Sequence, residues 1–408
     1  MTRRLLLSLA LLLLPSLTHG AALPGFGAQP VASTAGFATS IAMDSRGILY
    51  YTTTRGGLFR LDQGQSTRIA QVETEGIGNA GLLGLALADD RTAVVHYTTP
   101  MQTHHVISSI DLTTGAEQVR ARLVSDITTP GRPVSTEHHG GNPVVAPDGS
   151  IFVGIGDFGG FVVSQDPRWI AGKILRIRPN GQVEQFALGF RNPFDIAWDD
   201  ARQQLIVPDN GEERDDEINV VTAGGNYGWP YGMGQRPGLE GHIAPVYTFP
   251  DVVVPTGIVP VNGHHRYLKG GYILGSFVAR TLFYIPDMEA RPLPDPVRLL
   301  EGETGVIIDV AQAPDGEIYF TTGGTIFRLI APTPGDCNGD GLLDLLDRSA
   351  LDAELTDGIA QQTLSASEGN HRGSWGCDAN TDGMIDPQDR IELIRTIPLR
   401  GRVVRGRG

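Results

Sequence analysis

Glu137-His-His-Gly-Gly-Asn-Pro-Val-Val-Ala-Pro-Asp-Gly-Ser-Ile-Phe-Val-Gly-Ile-Gly-Asp157 carries the architecture of this chain in miniature. A short apolar run, Pro143 to Ala146, meets a Pro147-Asp148-Gly149 turn and returns as Ile151 to Ile155, the pattern of a β-hairpin. The same phrase recurs as Ile41-Ala-Met-Asp-Ser-Arg-Gly-Ile-Leu-Tyr-Tyr51 and as Val310-Ala-Gln-Ala-Pro-Asp-Gly-Glu-Ile-Tyr-Phe320. Looser copies lie at Leu85 to Tyr97, Ile196 to Val207 and Tyr272 to Ile285. Six units spaced roughly 45 to 70 residues apart are blade-sized for a propeller of four-stranded sheets. Alternation in short runs, with no sustained helical period, disfavours a parallel α/β sheet. Ring closure supplies the physical reason: each blade has two apolar faces, and a closed circle buries both against neighbours. The expected fold is therefore all-β, a six-bladed β-propeller, with a small α-helical calcium module behind it.

Composition agrees with a turn-rich fold. The 408 residues include 53 Gly and 27 Pro, and 40% are apolar. Net charge is -14, and Lys173 and Lys269 are the sole lysines, so nucleic acid is an unsuitable partner. Arg3 and Arg4, the apolar run Leu5 to Leu14 and the small-residue end Thr18-His-Gly-Ala21 read as a secretory signal at 1–20, too short to span a membrane stably. The mature protein is then expected outside the cytoplasm: secreted, periplasmic or at the cell surface, without a membrane span. Cys337 and Cys377 are the two cysteines, and in an oxidising compartment a disulfide between them is expected. The chain divides into the signal, a propeller at 21–330, a stiff Pro-rich linker at 331–335, a calcium module at 336–398 and a basic, unstructured tail at 399–408.

Candidate chemistry lies in the connections. His138 can take a proton from a hydroxyl near neutral pH, and Gly140 and Gly141 beside it let the backbone turn tightly and leave room for a ligand over the imidazole. Ala187-Leu-Gly-Phe-Arg-Asn-Pro-Phe194 sets Arg191 and Asn192 between two apolar strands. Asp209-Asn-Gly-Glu-Glu-Arg-Asp-Asp-Glu-Ile-Asn219 precedes Gly224-Gly-Asn-Tyr-Gly-Trp-Pro230, and Gly78-Asn-Ala-Gly-Leu-Leu-Gly-Leu-Ala86 leads into the second unit.

Together and in this order, these segments resemble the soluble pyrroloquinoline quinone (PQQ)-dependent sugar dehydrogenases, the glucose/sorbosone dehydrogenase-like propellers, over roughly residues 35 to 330. The resemblance implies that His138 removes the proton from a sugar hydroxyl, which is oxidised to the lactone. It implies further that Arg191 polarises the quinone, with Asn192 and Asn79 beside the cofactor and Glu137 at the substrate. Carbonyls of Gly211 and Glu212 match positions that hold calcium under the quinone; Asp216, Glu217 and Tyr227 match a structural calcium position. Two departures stand out. Val306 and Ile308 occupy places where relatives carry arginines for the quinone's carboxylates, and Arg280 is displaced by two positions. Anions leaving water need paired charge or donors. The rival expectation is thus a non-enzymatic extracellular recognition propeller with a degenerate cofactor site, as among hedgehog-interacting relatives.

Beyond the linker, Asp336, Asn338, Asp340, Asp344 and Asp347 occupy positions 1, 3, 5, 9 and 12 of a twelve-residue loop, with Gly341 at position 6 and Leu342 at position 7. Asp378, Asn380, Asp382, Met384, Asp386 and Asp389 repeat the series, with Gly383 at position 6. This is the oxygen-ligand grammar of an EF-hand-like calcium loop. Aspartate at position 12 resembles type I dockerin repeats, which implies a protein docking partner.

Overall fold

The computed structural model describes residues 25–125, 135–234, 238, 240–356, 375–382, 384–397 and 404–405. The expected signal at 1–20 and most of the basic tail lie outside these residues. Strand β1, Gly27–Ser33, comes first and is used last. Blade one is Ala38–Met43 (β2), Leu49–Thr53 (β3), Gly57–Asp62 (β4) and Gln65–Gln71 (β5). Blade two is Leu82–Asp89 (β6), Thr92–Thr98 (β7), His104–Asp111 (β8) and Glu117–Val124 (β9). Blade three is Pro143–Val145 (β10), Ile151–Ile155 (β11), Lys173–Ile177 (β12) and Val183–Leu188 (β13). Blade four is Ala197–Asp199 (β14), Gln204–Asp209 (β15), Glu217–Val221 (β16) and Tyr247–Thr248 (β17). Blade five is Pro255–Pro260 (β18), Tyr272–Ser276 (β19), Thr281–Ile285 (β20) and Val297–Glu301 (β21). Blade six is Asp309–Gln312 (β22), Ile318–Thr321 (β23) and Thr325–Ile330 (β24), completed by β1 lying antiparallel along β24.

The ring closes through its first strands. β2 touches β6 and β22, and β10 bridges β6 and β14. β18 then joins β14 to β22. Side chains bolt these neighbours together near the axis. Asp195 Oδ2 accepts from Ile258 N at 2.6 Å, and Asp309 Oδ2 accepts from Ile41 N at 2.8 Å. Both carboxyls are buried and raised by that burial, Asp309 to about 6.

Blade five departs from the sequence expectation. Tyr272 to Ile285 forms its second and third strands, and its axial strand is Pro255–Pro260, which bears no Asp-Gly turn signature.

The C-terminal segment contains two helices, Leu345–Thr356 (α1) and Pro387–Thr396 (α2). Cys337 and Cys377 form a disulfide. This unit is packed on the ring rather than held off it. Trp375 is fully buried, 5.5 Å edge-on to Phe26, 5.9 Å from Tyr284 and 6.0 Å from Tyr267. Leu351, Ile385 and Leu393 share one apolar cluster with Leu282, Leu300 and Phe320 of blades five and six. Val404 and Arg405, expected within an unstructured tail, pair as a short strand with Leu342 and Leu343. No helix among the described residues is long and apolar enough to cross a membrane.

Candidate active site

In an antiparallel blade, the lead-in to the first strand and the connection between the second and third fall at the same end. Asn79, His138, Arg191 and Ile308 lie on lead-ins, while Asp157, Asn210 and Arg280 lie on second-to-third connections. Topology thus delivers them all to one mouth, and the Asp-Gly turns to the other.

His138 sits at φ +54° with its Nδ1 2.7 Å from Asp157 Oδ1. Asp157 is wholly buried, takes Gly159 N on the same oxygen at 2.8 Å and accepts Trp229 Nε1–H on its other oxygen at 2.9 Å. An imidazole whose Nδ1–H is held by a carboxylate presents Nε2 as its acceptor. Gly140, at φ +79°, allows the tight turn expected of it, but ligand room is not what the two glycines provide. A Cβ at Gly140 would overlap Gly154 O and one at Gly141 would overlap Phe194 O, so close backbone approach, not ligand room, requires them.

Arg191 is fixed through its backbone: its N–H donates to Asp209 Oδ2 at 2.9 Å and that of Asn192 to Asp209 Oδ1 at 2.7 Å. Burial pushes Asp209 up to about 7, against the pull of these donors. The guanidinium lies 5.6 Å over the Trp229 ring and donates from Nη1 to Asn210 O at 3.1 Å. Arg191 Nε, Asn192 Oδ1 and Asn210 Oδ1 are buried without a hydrogen-bond partner. Buried polar atoms are normally paired, so a donor and two acceptors left open together mark where a polar ligand fits. Asn79 and Glu137 are brought together, Nδ2 to Oε2 at 3.3 Å. Opposite them the wall is apolar: Ile308 is buried and Val306 half-buried, while Arg280 is exposed on the loop of blade five.

The expected structural calcium position is not assembled. Asp216 accepts Gly211 N at 2.8 Å and both Val253 N and Val254 N at 2.7 Å. Glu217, pushed up to about 8 by burial and then by Asp209, accepts Gly234 N at 2.7 Å and Asn219 Nδ2 at 3.0 Å. Tyr227 lies beyond the far end of the same strand, its hydroxyl donating to Val220 O and accepting from Thr222 N, both at 2.9 Å. These side chains do not converge on one ion. Gly211 and Glu212 lie on the mouth loop next to Asn210.

The two C-terminal loops fold alike. Asp340 N donates to Asp336 Oδ1 at 3.0 Å, and Asn338 N and Asp344 N donate to Asp347 at 3.3 and 2.8 Å. In the second loop Asp382 N donates to Asp378 at 3.1 Å, and Asn380 N and Asp386 N donate to Asp389 at 3.1 and 2.8 Å. Burial, then neighbouring aspartates, push Asp347 and Asp389 each up to about 6. Among the described residues, no three His, Cys, Asp or Glu side chains are gathered as a metal-holding group.

A second polar array was not legible in the sequence. His96 Nδ1 lies 2.8 Å from Gly141 O, its Nε2 2.8 Å from His105 Nδ1, His105 Nε2 3.3 Å from His139 Nδ1, and His139 Nε2 2.8 Å from Ser135 O. Burial holds His96 and His139 down at about 4 and His105 well below the ordinary histidine value. Three neutral rings carry three protons and the four contacts need four. Both ends must donate to carbonyls, which leaves the long His105–His139 contact without a proton. Asp157, Trp229 and Asn210 also went unassigned in the sequence. Asp157 closes the opening hairpin, and the other two sit inside the segments 209–219 and 224–230, which were singled out for other residues.

Residues 36–330 match the family model described as Glucose / Sorbosone dehydrogenase. The PQQ-bound form of aldose sugar dehydrogenase from Streptomyces coelicolor superposes with a TM-score of 0.64 at 26% identity, covering 76% of this chain and 99% of that one. Quinoprotein glucose dehydrogenase B of Acinetobacter calcoaceticus is 31% identical over 137 residues, 26% of this chain and 28% of that protein. HIPL2 protein of Arabidopsis thaliana is 28% identical over 176 residues, 35% of this chain and 25% of that protein. The matched stretches span from 21% to 60% of such curated relatives' own lengths.

Proposed function

The chain belongs to the glucose/sorbosone dehydrogenase family, and from that premise we propose that it is a quinone-dependent sugar dehydrogenase whose active site is the His138 mouth. The observation that carries the reading is the meeting of a carboxylate-held imidazole with unpartnered buried atoms of Arg191, Asn192 and Asn210. Among these atoms Arg191 Nε is the donor suited to a quinone oxygen of PQQ, and PQQ would supply the hydride acceptor. His138 Nε2 takes the hydroxyl proton of the sugar while Asp157 stabilises the imidazolium that forms. Arg191 would hold a quinone oxygen and stabilise charge developing there, with Asn192 beside the cofactor. Asn79 and Glu137 form the polar rim against which a sugar hydroxyl is oriented. A calcium ion at the carbonyls of Gly211 and Glu212 belongs to this reading; the Asp216, Glu217 and Tyr227 position does not.

The second reading, a recognition propeller without a cofactor, is favoured by the apolar Val306 and Ile308 wall, which would face a quinone's carboxylates without paired charge. Purified protein given PQQ, calcium and a panel of aldoses separates the two. Dye reduction with a sugar supports the enzyme; no reduction with any of them, alongside an unchanged quinone spectrum, supports the binder.

For the C-terminal unit we propose calcium at both loops and a dockerin-like role in docking to another protein, with the chain exported by its N-terminal leader. The supporting observations are the repeated ligand spacing and the matched hydrogen bonds of the two loops. Calorimetric titration of the full chain with calcium should show uptake that Asp347→Ala and Asp389→Ala together lower by two ions.

A further inference from the structure

Trp229 touches both halves of the candidate site and belongs to neither by residue type. Its indole N–H donates to Asp157 Oδ2 at 2.9 Å, on the carboxylate whose other oxygen holds His138. Its ring lies under the Arg191 guanidinium at 5.6 Å. It is 4% exposed and so lies beneath the surface of the mouth. Buried tryptophans are commonly core fillers that find any acceptor for the N–H. Here the acceptor is the carboxylate that orients the base.

The backbone beneath Trp229 is held by side chains as well. Gln165 Nε2 donates to Trp229 O at 2.6 Å and to Asn226 Oδ1 at 3.0 Å, and Asn226 Nδ2 returns a bond to Gln165 Oε1 at 2.8 Å. The segment bearing Gln165 is tied down in turn by a buried ammonium. Lys173 Nζ donates to the carbonyls of Val163, Ser164 and Ala171 at 3.1, 2.9 and 2.7 Å. Three carbonyls gathered on one cation add to the backbone hydrogen bonds that fix this segment.

We propose that Trp229, anchored by Gln165, is a positioning residue that sets the His138–Asp157 pair and the seat of Arg191 as one unit. The proposal rests on the dehydrogenase reading for its catalytic meaning, but its geometry can be tested without turnover. Trp229→Phe keeps a ring under Arg191 and removes the N–H. Asp157 then loses a donor, its charge acts more fully on His138, and the imidazolium is favoured.

The test has two arms. In cofactor-free protein, the His138 ring resonance is titrated by NMR; Trp229→Phe should move its midpoint upward by about half a pH unit relative to wild type. In protein loaded with PQQ and calcium, kcat should fall about tenfold, as for one lost hydrogen bond to a charged group, with the sugar KM changed less than about twofold. An unchanged His138 titration in a folded Trp229→Phe variant overturns the proposal whatever the activity does. Should that variant fail to fold, Gln165→Ala keeps the indole and loosens its anchor; a smaller upward shift supports the proposal, and no shift overturns it. Wild-type protein inactive on every sugar sinks the dehydrogenase reading instead, and leaves the titration arm standing.

Discussion

A histidine is a useful base when one ring nitrogen is engaged and the other is open, and Asp157 provides that condition for His138. Asp157→Asn should retain the fold and lower kcat by about 10²- to 10⁴-fold, because an amide can hold the ring in the wrong tautomer and cannot stabilise the imidazolium. Steady-state dye reduction measures this, and an unaltered rate would remove Asp157 from the mechanism. His138 and Arg191 were readable because each sits in a short segment of unusual composition. Asp157 was less so: its relation to His138 spans 19 residues and depends on a hairpin returning to its own starting end. The close approach at Gly141 could not be read either, since the backbone of Phe194 that demands it comes from the next blade.

Strands repeat a turn grammar, and where the grammar failed the reading failed with it. Five axial strands carry polar turns after an apolar run; Pro255–Pro260 has proline at each end and a long excursion behind it, so blade five was recognised by its middle strands. The histidine array between β7, β8 and the lead-in to β10 was hidden for another reason, since three separate elements contribute one ring each. It has a consequence for stability. His96 and His139 are held at about 4 in the folded chain, whereas an unfolded histidine titrates near 6.5. The unfolded chain therefore binds protons that the folded chain refuses. Stability from these groups is complete above about pH 6.5 and is lost progressively as pH falls towards 4, by a few kcal/mol in total. Urea unfolding at pH 7 and pH 5 should show this loss, and His96→Gln should flatten the slope; parallel slopes for the two proteins would contradict it.

At the scale of the molecule, the ring is closed by its two ends, and the C-terminal unit sits over that seam. Phe26 immediately precedes β1, β24 runs into the linker, and Trp375 packs on Phe26 while reaching Tyr267 and Tyr284 of blade five. The sequence suggested a unit hung on a stiff linker; what it could not convey is that an apolar side chain just before the second Asp-rich loop is buried against the propeller. Trp375→Ala should destabilise the whole chain by about 3 to 5 kcal/mol, and ring and C-terminal unit should melt in one transition in wild type. Two separated transitions in wild-type calorimetry would show that they are independent. The central claim concerns the other face of the molecule, where a base and a quinone seat share one mouth. Its most direct test is an anaerobic single-turnover experiment on protein loaded with PQQ, following the quinone absorbance after addition of an aldose. Wild type should show sugar-dependent reduction, and His138→Ala should bind the quinone equally well yet remain oxidised over the same interval. Equal reduction in both proteins, or no quinone bound by either, would contradict the account.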